Sequence, residues 1–282
     1  MATVTIGVPV YNGASLIAEC LECLCNQTFK DIEIVVSDNA STDETGDIVQ
    51  QYAARDPRIR YIRQTENIGM MKNFKAALDA ARSPFFTFRC HDDLSSNNYI
   101  EALLARMMGD PEARLAAPKV ETRRKDGTAR YHLPPAGGAD SKLSQINNLL
   151  RQSHQAWFCG MWKTASLRPA LAHVWERYDS PWGPDHLTLY SALISREVVF
   201  APDAVYIQRI TPKSGDGAYS KPKIWEMLRL RRIFMQVCRD FRREHNISGF
   251  QEFALAAMTW SHTGRRVMKM RDIVRYFLLG RW

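Results

Sequence analysis

Residues 3–10 read TVTIGVPV, an unbroken run of apolar and β-branched residues that ends directly before Tyr11. Two further runs have the same character, DIEIVVS at residues 31–37 and FFTFR at residues 85–89. Short apolar runs that alternate with segments of helical apolar spacing are typical of parallel strands buried on both faces. The sequence therefore predicts an α/β fold built on a mostly parallel sheet flanked by helices.

Each of the three runs leads into a polar loop. The first loop begins with Tyr11 and Asn12, the second with Asp38, and the third contains Asp92 and Asp93. Ligands bind outside the carboxyl ends of the strands in an open parallel sheet, so we expect these loops to form one site. They carry carboxylates and lack a glycine-rich phosphate loop, which favours a nucleotide held through a metal ion.

The alternation of strands and helices becomes less regular after residue 95. We predict helices at residues 96–110, 141–152 and 185–195. We also predict a strand at residues 115–120 and a pair of short strands within residues 198–207. Flexible segments are predicted at residues 133–140 and 214–222, and two long helices at residues 223–243 and 250–279.

Composition limits the classes of protein to be considered. The chain has 282 residues, 45% of them hydrophobic, which is enough for a substantial core. We find neither a run of about 20 apolar residues nor a secretion signal, so we expect no membrane span and no export. The six cysteines are scattered, and reduced thiols are expected in a cytoplasmic protein.

Positive charge is concentrated near the C-terminus. Residues 221–282 hold 14 Lys and Arg against 5 Asp and Glu, a net charge of +9; the whole chain carries +8, so residues 1–220 carry −1. Residues 265–282 form a basic amphipathic pattern, typical of a helix that binds the surface of an anionic membrane. The alternative is a helix that packs its apolar side on the rest of the protein. Nucleic acid is not favoured, because the remainder is near neutral and no binding motif is present.

Four motifs together resemble the family 2 glycosyltransferases in order and spacing: VPVYN at residues 8–12, SDNASTD at 37–43, ENIGMMKN at 66–73 and HDD at 91–93. The resemblance implies the nucleotide-diphospho-sugar transferase fold called GT-A. It implies a GT-A domain over residues 1–218, with a nucleotide-sugar-binding half (1–95) and an acceptor-binding half (96–218). Residues 219–282 would then be a helical C-terminal extension.

The resemblance also implies an activity, the inverting and metal-dependent transfer of a sugar from a nucleotide-diphosphate donor to a hydroxyl of a glycan. We expect a lipid-linked bacterial surface polysaccharide as the acceptor, at the inner face of the cytoplasmic membrane. The alternatives are a catalytically inactive nucleotide-sugar-binding scaffold and a nucleotidyltransferase. The second of these typically needs a glycine-rich basic loop near the first strand, which VPVYN lacks.

Donor binding is assigned to residues of the matching motifs and their neighbours. An aromatic ring such as Tyr11 can lie against a base, and Asp38 can accept a base N–H. Basic side chains can face the diphosphate, although surface charges are common without such a role. The predicted donor-binding residues are Pro9, Tyr11, Asn12, Asp38, Arg63, Asn67, Gly69, Lys72, His91 and Asp93.

The resemblance makes Asp92 the direct ligand of Mn²⁺ or Mg²⁺, with Asp93 or His91 near the ribose or a metal-bound water. Adjacent carboxylates after an apolar strand are costly to bury without a cation, and oxygen ligands suit these ions. Two positions depart from the family pattern. Cys90 stands where the family has its first acid, and residues 209–212 lack a late histidine that many relatives carry.

A catalytic base is expected in the second half of the fold. The resemblance places it at Asp185, which would take the proton of the acceptor hydroxyl; a helix N-cap is the structural alternative. Trp157, Trp162 and His186 are weaker candidates for acceptor contacts. Aromatic faces bind sugar rings, but a core-forming segment explains the two tryptophans equally well.

Overall fold

The computed structural model describes residues 1–135, 141–178, 180–210 and 223–267. The chain folds into two compact units that interleave along the sequence. Counting only described residues, one unit comprises residues 1–134, 156–169 and 198–210, and the other comprises residues 135, 141–155, 170–178, 180–197 and 223–267. We call them the sheet unit and the helical unit after their main secondary structure.

Nine strands of the described chain form one mixed sheet in the sheet unit. They are β1 (Val4–Val10), β2 (Ile32–Asp38), β3 (Ile59–Arg63), β4 (Phe85–Phe88), β5 (Leu94–Ser95), β6 (Leu115–Arg123), β7 (Ala129–His132), β8 (Met161–Lys163) and β9 (Val198–Arg209). Their order is β3-β2-β1-β4-β8-β6-β9-β5, with β7 paired to β6. Most paired residues lie in the parallel pairs β1–β2, β2–β3, β1–β4 and β6–β9, so the predicted mostly parallel sheet is confirmed.

β1 lies at the centre of the parallel part, and all seven of its residues are buried. Burial of a Val, Leu or Ile side chain stabilises a fold by about 1.5–3 kcal/mol, which explains why an apolar run becomes a central strand. Val10 pairs with Asp38, and Gly7 pairs with Phe88. The three predicted strands therefore end at one edge of the sheet, and their polar loops start there.

The spacing of apolar residues predicts helices at residues 14–26, 42–55, 70–81 and 96–110. Four helices of the sheet unit fall within these ranges: α1 (Ile17–Cys25), α2 (Thr45–Arg55), α3 (Met70–Asp79) and α4 (Tyr99–Gly109). The sequence also predicts that α2 starts at residue 42 with Ser41 or Thr42 as its cap, and this start is wrong. The helix begins at Thr45 with Glu44 as its N-cap. The Ser41 hydroxyl binds Asp38 and the N–H of Asn12 instead, and Asp43 Oδ1 accepts the N–H of Thr45 at 3.1 Å.

The second half of the sheet differs from the prediction in three places. The predicted pair of strands within residues 198–207 is the single strand β9, which pairs with β6 along its whole length through one register shift after Pro118. The hairpin strand β7 was not predicted, because its sequence ARYH is mostly polar and exposed. Helix α6 (Thr164–Trp175) was also missed, and it contains Pro169, a residue that argues against a helix.

The helical unit contains α5 (Lys142–Gln152), α7 (Pro184–Ser195), α8 (Ile224–Glu244), α9 (Gly249–Arg266) and the second half of α6. Arg242 of α8 is buried and joins three of these helices. Its guanidinium binds Glu252 of α9 at 2.7 and 3.0 Å and donates to Tyr190 Oη of α7 at 3.1 Å. Such a buried ion pair with its remaining donors satisfied fixes the packing of the helices.

Residues 136–140, 179, 211–222 and 268–282 lie outside the described residues. The predicted linker at 214–222, the domain boundary at residue 218, most of the predicted loop at 133–140 and most of the amphipathic segment at 265–282 fall there. These features remain predictions.

Candidate functional site

The loop after β1 is fastened to the loop after β2. Asn12 has a left-handed backbone (φ 48°), and its N–H donates to Ser41 Oγ at 2.9 Å. In return, Asn12 Oδ1 accepts the N–H of Thr42 at 2.8 Å. The N–H of Gly13 donates to Thr45 Oγ1 at 2.9 Å. Asn12 therefore holds two of the predicted site loops together.

Asp38 ends β2 with a fully buried side chain. Its Oδ1 accepts from the N–H and the hydroxyl of Ser41 at 2.9 and 2.5 Å. Its Oδ2 accepts from Tyr61 Oη at 2.6 Å and from Arg63 Nη1 at 3.0 Å. A carboxylate has about four acceptor positions, so protein donors fill all of them. A base N–H can reach Asp38 only by replacing one of these donors, and half-exposed Arg63 is the one at the surface.

The segment of residues 66–69 is connected to the loop after β2 by a chain of amides. Asn39 Nδ2 donates to Asn67 Oδ1 at 2.8 Å, and Asn39 Oδ1 accepts the N–H of Ile68 at 2.9 Å. Gly69, the N-cap of α3, has φ 84° and ψ 157°, a backbone conformation that only glycine adopts readily. Both predicted residues, Asn67 and Gly69, therefore belong to the same loop cluster as Asp38.

The other predicted donor-binding side chains differ in exposure. Tyr11 is 44% exposed at the end of β1, so its ring is accessible to a base. Lys72 is exposed on the first turn of α3. Pro9 lies within β1 opposite Ser37 of β2, where its role is to form the strand.

The loop after β4 packs against the loop after β1. A Cβ atom at Gly13 would lie 2.6 Å from His91 Cδ2, so the close approach of the two loops requires glycine at this position. His91 and Asp92 are partly buried, whereas Asp93 is 5% exposed. The structure thus brings His91 to the first loop, as the sequence analysis expects for one shared site.

Residues at the C-terminal end of β9 donate hydrogen bonds to Asp93. Its Oδ2 accepts from Tyr206 Oη at 2.7 Å, and its Oδ1 accepts the N–H of Arg209 at 2.8 Å. Arg209 Nε also donates to the carbonyl oxygen of Asp92, and its Nη1 binds Glu19. Burial and the charge of Asp92 raise the pKa of Asp93 to about 7, against the opposing effect of these hydrogen bonds.

Arg89 lies next to this loop with its whole side chain buried. Its guanidinium carbon is 5.1 Å from the ring centroids of both Tyr99 and Tyr206, a double cation–π contact. None of its three side-chain nitrogens has a hydrogen-bond partner in the described chain. The arginine therefore places a fixed positive charge near Asp93.

Sequence reasoning missed Arg89, Tyr206 and Arg209. A charged residue at the end of the apolar run FFTFR was the signal available for Arg89. The other two come into place through the antiparallel pair of β5 with β9, which joins Leu94 to Ile207 across more than 100 residues. A single sequence gives no signal of that pairing.

Three side chains of the third loop fit a divalent cation. One ligand atom each from Cys90, Asp92 and Asp93 lies within 4.8 Å of the others. Carboxylate oxygens bind Mg²⁺ and Mn²⁺, and a thiolate binds softer ions. The chemistry of this donor set is compatible with a divalent cation.

In the helical unit, Asp185 occupies the first turn of α7. The N-cap of this helix is Gly183, so Asp185 is not the cap that was its structural alternative. Its Oδ1 accepts the N–H of His186 at 2.8 Å. Burial raises the pKa of Asp185 above the usual range of an aspartate, while Arg266 opposes that shift. A raised pKa is typical of carboxylates that act as general bases.

Two buried histidines and an arginine lie near Asp185. The rings of His186 and His262 are 5.9 Å apart, and His262 Nδ1 is 3.0 Å from the carbonyl oxygen of Leu150. Burial lowers the pKa of His262 to about 3 and that of His186 well below the usual range, so both are neutral. Arg266 Nη2 donates to the carbonyl and hydroxyl oxygens of Ser153. Arg266 is therefore turned inward, which corrects its predicted place on a membrane-facing surface.

Trp157 and Trp162 are core residues. They are 0% and 1% exposed, and Trp162 Nε1 donates to the carbonyl oxygen of Phe158 at 3.0 Å. Trp157 packs against Phe200, with ring centroids 5.2 Å apart. Their faces are not available to a sugar ring, so the acceptor role predicted for them is wrong.

Residues 5–172 match the family model described as glycosyl transferase family 2, a range that covers more than half of the chain. EpsJ of Bacillus subtilis (strain 168), an uncharacterized glycosyltransferase, is 29% identical over 232 residues, 80% of this chain and 66% of that protein. The GalNAc(5)-diNAcBac-PP-undecaprenol beta-1,3-glucosyltransferase of Campylobacter jejuni subsp. jejuni serotype O:2 is 34% identical over 107 residues, 38% of this chain and 35% of that protein. The chain thus spans less than two thirds of the length of either curated relative.

Among solved structures, S. aureus TarS 1–349 in complex with UDP-GlcNAc superposes with a TM-score of 0.69 at 20% identity, covering 100% of this chain and 76% of that one. This similarity establishes the fold alone. It confirms the predicted GT-A architecture with helices at its C-terminal end.

Proposed function

The chain belongs to glycosyl transferase family 2, and we propose that it transfers a sugar from a nucleotide-diphosphate donor to a hydroxyl of a glycan, with inversion at the anomeric carbon. The observation that carries this proposal is the loop cluster at the carboxyl ends of β1, β2 and β4. Tyr11, Asp38, Arg63, Asn67 and the Asp92–Asp93 pair belong to it.

The donor would lie on this cluster. The half-exposed ring of Tyr11 is suited to stack on the base, and movement of Arg63 away from Asp38 would free a carboxylate oxygen for a base N–H. Arg63 and exposed Lys72 would then be available to the diphosphate. A bound ion would be held by Asp92 and its neighbours, and its chemistry is to neutralise the leaving diphosphate.

Asp185 is our proposed catalytic base. The acceptor oxygen attacks the anomeric carbon and forms the new C–O bond as the bond from that carbon to the diphosphate oxygen breaks. The electron pair leaves on the nucleoside diphosphate, and the hydroxyl proton passes to the Asp185 carboxylate. A single displacement of this kind inverts the configuration and requires no carboxylate nucleophile. The raised pKa of Asp185, caused by burial, supports this role.

A two-stage experiment tests the proposed function. Thermal unfolding is measured with UDP-, GDP-, dTDP- and CMP-sugars, each with and without Mn²⁺, and release of nucleoside diphosphate is then measured with glycan-lipid extracts as acceptors. A ligand at about 100 times its Kd stabilises by about 2.7 kcal/mol, which raises Tm by several degrees. Stabilisation by one donor class with turnover is expected. Donor binding without turnover on any acceptor would indicate the inactive scaffold, and no binding would overturn the proposal.

We further propose that the acceptor is lipid-linked and that the helical unit meets an anionic membrane at its cytoplasmic face. The name of the Campylobacter relative, an enzyme acting on a PP-undecaprenol glycan, supports the first part. No helix among the described residues has the length and apolar character needed to cross a bilayer.

Two exposed helix faces support peripheral contact. On α9, Phe250 and Phe253 are 76% and 74% exposed, with Trp260 further along the same face. Along α8, exposed residues recur every three or four positions: Trp225, Arg229, Arg232, Gln236, Arg239 and Arg243. Apolar rings and arginines are the combination that binds a negatively charged bilayer surface. This evidence comes from residues before the 265–282 segment that the sequence analysis favoured.

Sedimentation with vesicles tests this surface. The protein should bind vesicles of phosphatidylglycerol and phosphatidylcholine more than those of phosphatidylcholine alone, and less as salt rises. The double change Phe250→Ser and Phe253→Ser should lower binding, while Met108→Ser, at a 68% exposed apolar residue of α4, serves as control. Equal binding by both variants would contradict the assignment of this face.

A further inference from the structure

The third loop offers a sulfur atom to the ion that its carboxylates would hold. Cys90 follows β4 and lies two residues before Asp92, and the thiol with one oxygen each of Asp92 and Asp93 forms a group within 4.8 Å. Resting on the proposed function, we propose that Cys90 is a thiolate ligand of the ion. The site then selects a thiophilic divalent cation of the Zn²⁺ and Co²⁺ class over Mg²⁺.

The distances allow a common ion after a small adjustment. Metal–sulfur bonds are about 2.3 Å and metal–oxygen bonds about 2.0–2.2 Å, so two ligands of one ion lie at most about 4.5 Å apart. The three ligand atoms exceed this limit by no more than a few tenths of an ångström. The Asp92 side chain is partly exposed and has room to make that movement.

The charges near the loop explain why a third anionic ligand matters. Buried Arg89 lies near the two carboxylates, and Arg209, which also binds Glu19, contacts the same loop. These positive charges offset part of the negative charge that Asp92 and Asp93 offer to a divalent cation. On binding the ion, Cys90 would release its thiol proton to solvent, and the thiolate would add one negative charge and a ligand that Mg²⁺ does not favour but softer ions do.

The donor set also differs in hardness from an all-oxygen site. Mg²⁺ requires oxygen ligands in a near-octahedral arrangement, whereas ions that accept tetrahedral sulfur and oxygen ligands tolerate a mixed set. One oxygen of Asp93 already accepts from Tyr206 and the other from Arg209, each through one lone pair. Each oxygen keeps a second lone pair, so Asp93 can support the ion without losing these contacts.

Cobalt titration of the metal-free full chain, with no donor present, tests the proposal independently of glycosyl transfer. Cobalt bound to a thiolate gives a sulfur-to-metal charge-transfer band in the near ultraviolet. The wild-type protein should develop this band with one equivalent of Co²⁺, and Zn²⁺ should remove it. Cys90→Ser should lose the band and bind Zn²⁺ at least about tenfold more weakly. Cys159→Ser, at the thiol hydrogen-bonded to Cys90, should keep the band.

A second variant separates ligand identity from folding. Cys90→Asp should lose the band and gain Mg²⁺ or Mn²⁺ affinity, because it supplies an oxygen in place of sulfur, and a rise in its Tm with either ion would show that it is folded. A band that survives in Cys90→Ser would overturn the proposal. The absence of any band in the wild-type protein, whether or not Mn²⁺ binds, would overturn it as well. Failure of donor binding alone would count against the proposed function and leave the cobalt result intact.

Discussion

Asp38 of the sheet unit and Asp185 of the helical unit are both buried carboxylates at the ends of secondary-structure elements, but their surroundings differ. Asp38 accepts four hydrogen bonds from its own neighbourhood, among them two from Ser41. Asp185 accepts one described hydrogen bond, from the backbone N–H of His186. A fully satisfied carboxylate fixes loops in place, whereas one with few partners retains the capacity to accept a proton.

The contrast separates a preorganised binding surface from a reactive group. In the sheet unit, Asn12, Asp38 and Asn39 connect three loops through side-chain and backbone hydrogen bonds. In the helical unit, Asp185 lies near the neutral His186 and the partly buried Arg266. Changes in the first region should therefore affect stability and donor affinity, and changes in the second should affect turnover and its pH dependence.

The largest effect is expected from Asp185→Asn. An amide cannot take the acceptor proton, so kcat should fall by about 10²–10⁴-fold, the usual contribution of a general base. Donor Kd and Tm should stay close to those of the wild-type protein. The measurement is release of nucleoside diphosphate at saturating donor, with Glu226→Gln, an exposed acid of α8, as control. Unchanged kcat would remove Asp185 from the catalytic role.

Asp38→Asn should reduce stability, because the amide group cannot accept from Arg63 and Tyr61 in the same way. Hydrogen bonds to charged groups contribute about 1.5–3 kcal/mol each, and we expect a net loss of about 2–4 kcal/mol in the free energy of unfolding. Urea denaturation measures it. Asp79→Asn, which removes an exposed pair with Lys75, should change stability by less than about 0.5 kcal/mol. If both variants lost a similar free energy of unfolding, the hydrogen bonds of Asp38 would not have the stabilising role proposed for them.

The free energy of unfolding should decrease as pH falls, because the helical unit contains buried histidines with lowered pKa values. The pKa of His262 is lowered by burial to about 3, whereas the unfolded value is about 6.5, so the unfolded state binds more protons between these limits. The free energy of unfolding should therefore decrease by about 1.4 kcal/mol per pH unit as pH falls below about 6.5. His186 adds to this trend in the same direction.

His262→Gln should reduce that slope. Urea denaturation at about pH 7 and about pH 5 gives two free energies of unfolding. The difference between them is compared with the same difference in the wild-type protein. Tyr190→Phe changes a buried neighbour without removing a titrating histidine, and it should lower stability equally at both pH values. An unaltered slope in His262→Gln would show that this residue does not link protonation to unfolding.

The smallest effect is expected from Arg266→Gln. Arg266 lowers the pKa of Asp185 through its charge, so its removal should move the acid limb of the kcat–pH profile upward. We expect a shift of less than about one pH unit, because burial is the main influence on the pKa of Asp185 and the charge of Arg266 is a smaller one. Arg265→Gln, on the exposed side of α9, is the matched control.

The strands that place the donor site could be predicted from sequence, because local apolar runs are sufficient to determine buried strands. β1, β2 and β4 lie where TVTIGVPV, DIEIVVS and FFTFR predicted them. The short strand β8 and helix α6 could not be predicted in the same way. β8 has three residues and is fixed by long-range pairing with β4 and β6, and α6 contains Pro169, which argues against a helix.

The candidate site could be predicted only where its residues are close in sequence to a strand end. Asp38, Asn67 and His91 meet that condition, and the structure places them in contact with the predicted loops. Tyr206 and Arg209 reach Asp93 through long-range strand pairing, for which a single sequence carries no signal. Burial also cannot be inferred from residue type, which is why Trp157 and Trp162 were misassigned.

The most direct test of the account is donor binding by calorimetric titration of the wild-type protein, Asp92→Asn and Asp185→Asn, with the donor identified by the thermal screen. We predict that Asp92→Asn raises the donor Kd and removes its metal dependence, and that Asp185→Asn leaves the Kd unchanged. Binding that is unaffected by Asp92→Asn, or weakened equally by both substitutions, would contradict the division between a donor-binding sheet unit and a proton-accepting helical unit.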